Sequence, residues 1–88
     1  MFDPIEVKDV KNNIGLLIKA IRKQRSISQQ QLAASLDVSR TTIQNLEKGK
    51  NFTVDTLLKV LKELDLLDQL HAELSQAAHH VQKTQSLY

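Results

Sequence analysis
The stretch SQQQLAASLDVSRTTIQNL, residues 28–46, decides how the rest of the chain is read. Ser28 is placed to cap a first short helix, with Leu32, Ala33 and Leu36 as its apolar stripe, and Ser39 to cap a second, with Ile43 and Leu46 as its stripe. The small Ala33 permits the close backbone approach that a steep crossing between the two helices demands. Between the stripes, Arg40, Thr41, Gln44 and Asn45 are left facing outward, and these are side-chain types suited to base edges in a DNA major groove.

Working outward, Pro4 and the Ile5/Val7 alternation suggest an extended arm over residues 1–8, followed by Asp9 as the cap of a helix running to Gln24. Val10, Ile14, Leu17, Ile18 and Ile21 recur at helical spacing and are expected to form one buried face. Gly15 within that helix marks a place where another segment passes close. On the other side, Gly49 is free to close the second helix of the central pair in the left-handed conformation. Thr53 caps a fourth helix with the stripe Val54, Leu57, Val60, Leu61 and Leu64, and Asp65 interrupts it. A fifth helix follows, with Leu67, Leu70, Leu74, Ala77 and Val81 spaced by threes and fours. The expected architecture is therefore all-α: a compact five-helix domain over residues 9–74 and a helical extension or tail over 75–88.

Composition narrows the function. With no Cys, disulfides and thiolate metal sites are excluded, and such a chain suits a reducing cytoplasm. His71, His79 and His80 have no carboxylate cluster at a metal-ligand spacing, so neither an enzyme nor a cofactor is expected. No apolar run is long enough for a membrane span. The net charge of +2 conceals an asymmetry: residues 19–52 hold seven basic and two acidic side chains, while the two flanks together are net negative. A localised basic segment is what counterion release from double-stranded DNA requires, which places the expected location at the nucleoid.

From Ile14 to Leu74 the chain resembles the lambda-repressor/Cro-like, or XRE-type, helix-turn-helix proteins. The resemblance is carried by Arg22, the SISQ at 26–29, LAASLDVSRTTIQNLE at 32–47, KGK at 48–50 and TLLKVLKEL at 56–64. It implies that Ser39, Arg40, Thr41, Gln44 and Asn45 meet the bases, that Gln29 approaches a phosphate, and that Lys48, Lys50 and Asn51 grip the flanking backbone, with Lys23 and Arg25 extending that face. It also implies a structural salt bridge between Arg22 and Glu47. Asp37 departs from the family, which usually places Gly in the turn; Asp is among the few other residues that tolerate positive φ.

A further resemblance, of VLKELDLLDQLHAEL at 60–74 to HipB-like antitoxins, implies a homodimer that represses its own operon from a near-palindromic operator and binds a HipA-like kinase toxin or an associated subunit. Leu67, Leu70, Leu74, Ala77 and Val81 are the candidate dimer or partner contact. A phage-type repressor and an interaction module that has lost DNA binding are the alternatives.

Overall fold
A computed structural model of the chain describes residues 3–85, with the side chain of Gln85 left out. Five helices follow one another: α1 (Val7–Gln24), α2 (Gln29–Ser35), α3 (Arg40–Glu47), α4 (Val54–Glu63) and α5 (Leu67–Gln85). No strand occurs among the described residues.

The starts are set by side chains that satisfy the orphan N–H groups of each first turn. Ser28 Oγ accepts from the Gln31 N–H at 3.0 Å while Gln31 Oε1 accepts from the Ser28 N–H at 2.8 Å, a reciprocal box. At α3 and α4 a single hydroxyl does this one way: Ser39 Oγ accepts from the Thr42 N–H at 3.1 Å and Thr53 Oγ1 from the Thr56 N–H at 3.2 Å. The first helix departs from expectation. Asp9 is its third residue, accepting from the Glu6 N–H at 2.9 Å, so the helix begins at Val7 and the extended segment ends at Glu6.

The stops share a different device. After α1, α2, α3 and α4 one residue turns left-handed: Ser26, Asp37, Gly49 and Asp65, with φ of 56°, 56°, 71° and 62°. At each stop the next residue's N–H reaches back five positions, as from Ile27 to Arg22 O, Val38 to Ala33 O, Lys50 to Asn45 O and Leu66 to Leu61 O. This is the Schellman arrangement, and three of its four examples here dispense with glycine. At three of the four, the residue after the turn is apolar and packs on the core: Ile27, Val38 and Leu66.

Ile18, Leu32, Ala33, Ile43, Leu46, Val60 and Leu64 form the buried centre. The α1 face expected to be wholly buried is divided: Ile18 is enclosed and Ile14 and Ile21 half-buried, but Val10 and Leu17 are about half exposed. Val54 is also exposed, because it opens α4 in the first turn, ahead of the buried Val60 and Leu61. The other described residues leave these three positions about half or more exposed. α5 packs on its own domain only at its start, where Leu67 and Leu70 are half-buried; every described side chain from His71 onward is exposed. The helix nevertheless runs unbroken across residues 74 and 75 to Gln85, beyond the expected end of the domain. Residues 86–88 of the expected tail lie outside the described residues.

Candidate nucleic-acid interface
The outward face of α3 is defined by what anchors its inner one. Ile43 and Leu46 are fully enclosed and Glu47 is buried, which fixes the rotation of a helix only eight residues long. At 100° per residue, Thr41, Asn45 and Lys48 then fall on the opposite side, with Gln44 at its edge, while Arg40 projects from the first turn, nearer the Glu47 flank. Arg40, Thr41 and Lys48 are exposed; Gln44 and Asn45 are half-buried.

α3 is held to its neighbours by one polar network. Arg22 of α1 donates from Nε to Glu47 Oε2 at 2.7 Å and from Nη2 to Oε1 at 3.0 Å, a two-pronged pair. Its Nη1 also donates to the Ile27 carbonyl at 2.8 Å, and Gln29 at the start of α2 donates to Glu47 Oε1 at 3.1 Å. One carboxylate thus joins α1, α2 and α3. Burial pushes the Glu47 carboxyl up, but hydrogen bonds from Arg22 and Gln29 and the positive charges of Arg22 and Lys19 outweigh it and hold the group below its ordinary value. The same hydrogen bond to Glu47 raises the Arg22 guanidinium against its own desolvation.

Close backbone contact completes the anchorage. A methyl group at position 15 of α1 would lie 2.7 Å from the Glu47 carbonyl carbon and 2.8 Å from the Leu46 oxygen, so only glycine fits there. A methyl at Gly49 would meet Asn12 Oδ1 at 2.7 Å and the Lys11 backbone at 3.0 Å. The turn after α3, with Lys48 and Lys50, therefore rests against the first half of α1.

Several expected site residues have more defined roles than their types alone imply. The Ser39 hydroxyl accepts the Thr42 N–H and shares a 2.8 Å hydrogen bond with Thr42 Oγ1, so it shapes the helix start. Gln29 has one amide proton directed to Glu47, which orients the side chain while leaving its second proton and its carbonyl oxygen as further hydrogen-bonding groups. Lys50 and Asn51 are exposed beyond the turn, Asn51 with φ of 45°. Arg25 is corrected: its Nη2 donates to the Leu64 carbonyl at 3.1 Å and its Nη1 lies 3.5 Å from Asp65, which ties it to the end of α4 and away from a DNA-facing role. The Lys11 backbone lies against the turn that carries Lys48 and Lys50, a proximity its net-negative segment does not signal in sequence.

Two short helices packed together and joined by a tight turn, with polar and cationic side chains of the second open to solvent, form the helix-turn-helix arrangement. The family model described as Helix-turn-helix, HTH_3, matches residues 18–67, more than half of the sequence, and the chain belongs to that family of DNA-binding regulatory domains. No curated protein matches the chain. Among the described residues, no helix is long and apolar enough to cross a membrane.

Proposed function
We propose that the protein is a sequence-specific transcriptional repressor that binds a near-palindromic operator as a homodimer. The observation that carries this reading is the outward face of α3, polar and cationic and fixed by a buried ion pair and a glycine contact. Arg40 is the principal base-reading residue, donating two hydrogen bonds to guanine O6 and N7; Thr41, Gln44 and Asn45 read neighbouring positions. Gln29, Lys48, Lys50 and Asn51 contact the phosphates, joined by Lys11 from α1.

Each protomer would place α3 in successive major grooves about 34–36 Å apart. Neutralising six to eight phosphates per dimer gives a slope of log K against log salt of roughly −5 to −7. The test selects a binding sequence from random duplexes and titrates it by mobility shift over a salt series. Arg40→Ala is expected to weaken the selected site by about 1–3 kcal/mol without changing the melting temperature. A flat salt response, or wild-type affinity in that variant, overturns the reading.

The finer role is that of a HipB-like antitoxin, active in the cytoplasm at the nucleoid, that autoregulates its operon and binds a HipA-like toxin or associated subunit. Its support is the resemblance of residues 60–74 and the fact that α5 offers a second exposed surface, separate in chemistry from the basic face. Co-purification with a HipA-like kinase encoded beside the gene tests it. Absence of such a neighbouring gene, or failure of the two proteins to associate, sinks the antitoxin role and leaves the repressor intact.

A further inference from the structure
We infer that the second protomer of the proposed dimer docks through α5 in antiparallel orientation, so that the C-terminal half of each α5 covers the apolar groove at the base of the other. The inference rests on the homodimer proposed above and specifies its partner surface, polarity and register.

Two features of the chain call for the same occupant. Leu67, Leu70, Leu74, Ala77 and Val81 follow the alternating three-and-four spacing of a heptad seam, and the last three are exposed on the part of α5 where every described side chain is open to solvent. An isolated helical stretch of this length is marginal in water, so a partner helix is needed to hold it. At the foot of the seam lies an apolar groove of about 310 Å³ lined by Leu17, Leu57, Leu61, Leu66 and Leu70, with Gln69 and Glu73 on its rim. Leu70 belongs to both features, which makes the groove the continuation of the seam.

Polar residues beside the seam select its direction. Glu73 and His80 flank it on one side, two turns apart. In an antiparallel pair the layers become Leu70 with Val81 of the second copy and Leu74 with Ala77 of the second copy. Glu73 then faces His80 of the second copy, and the pairing occurs twice by symmetry. In a parallel pair Glu73 would face Ala78, which offers it no complementary partner. The antiparallel register brings Val81 of one copy to Leu70 of the other, at the mouth of the groove. It leaves the two Leu67 residues about 26 Å apart along the helices and the two Val81 residues about 16 Å apart.

The test uses the full chain, which contains no native cysteine. Leu70→Cys and Val81→Cys proteins are mixed and oxidised, and the disulfide is mapped by mass spectrometry against an exposed α2 control, Gln30→Cys. The expected product is the mixed 70–81 link. Predominant 81–81 and 70–70 links overturn the antiparallel direction, and no link above control in a protein that sediments as a monomer overturns self-association altogether. A mobility shift on the same reduced samples reads DNA binding separately, so failure of the dimer geometry is distinguished from failure of the repressor reading. As a second arm, Glu73→Lys is expected to weaken self-association about fivefold to tenfold and Glu73→Lys with His80→Glu to restore it, with the melting of a dilute sample unchanged. No loss, or loss without rescue, counts against the register.

Discussion
α3 and α5 both turn one face to solvent, yet they are exposed for opposite reasons. α3 is short and pinned on its inner side by Ile43, Leu46 and Glu47, and what it leaves outside is polar and cationic. α5 is more than twice as long, is pinned only at its first turn, and leaves outside Leu74 and Val81, at 60% and 53% exposure. Water solvates the first surface well and the second poorly. A rigid charged face suits a hydrated polyanion, whereas an apolar stripe on an unsupported helix suits another protein. On the proposed reading the contrast separates two tasks within 88 residues: one helix held still to be read against DNA, another projecting to be covered.

The contrast is broken most severely at the anchor. Glu47→Ala strands the Arg22 guanidinium in the core and is expected to cost about 3–5 kcal/mol in urea unfolding, with DNA binding lost alongside. Acid probes the same group. Because its folded carboxyl titrates below the ordinary value near 4.5, its contribution is fully present above that pH and disappears as pH falls through the lower folded value. The urea midpoint of wild type should therefore decline more steeply than that of Glu47→Gln in this acidic range.

On the other surface, Leu74→Asp should leave the melting of the helix-turn-helix body unchanged while lowering affinity for a two-half-site duplex about a hundredfold, through loss of linkage between protomers. Equal affinity for one-half-site and two-half-site duplexes in that variant is the signature. Gly15→Ala sharpens the comparison from the α1 side: its methyl cannot fit between α1 and the α3 backbone, and a loss of about 2 kcal/mol is expected. The smallest effect runs the other way. Asp37→Gly removes the strain of a left-handed non-glycine residue and should stabilise by about 0.5–1 kcal/mol in the same denaturation assay.

Local grammar made much of the fold legible. Ser28, Ser39 and Thr53 are helix starts in the structure as in the sequence, Gly49 and Asp37 take the left-handed turns their types permit, and Asp65 ends α4. Periodicity was less informative about what lies opposite a stripe. Val10, Leu17 and Val54 sit at helical intervals, but the other described residues leave about half or more of each side chain uncovered, and spacing alone carries no record of that. The candidate interface is a set of residue types on α3, of which the structure leaves Arg40, Thr41 and Lys48 exposed and Gln44 and Asn45 half-buried. Charge counted along the sequence grouped Arg25 with the DNA face and left Lys11 out, because proximity in the chain and proximity in space diverge where α1 crosses beneath the turn after α3.

The four left-handed helix stops carry a consequence for how this fold can drift. A one-residue insertion or deletion beside Ser26, Asp37, Gly49 or Asp65 shifts the single backbone pivot that sets the bearing of the next helix, and β-branched residues at those positions cannot take up the required hand. The spacing of the pivots is therefore less free to vary than the letters between them, and divergence in this chain is channelled into side chains at constant length.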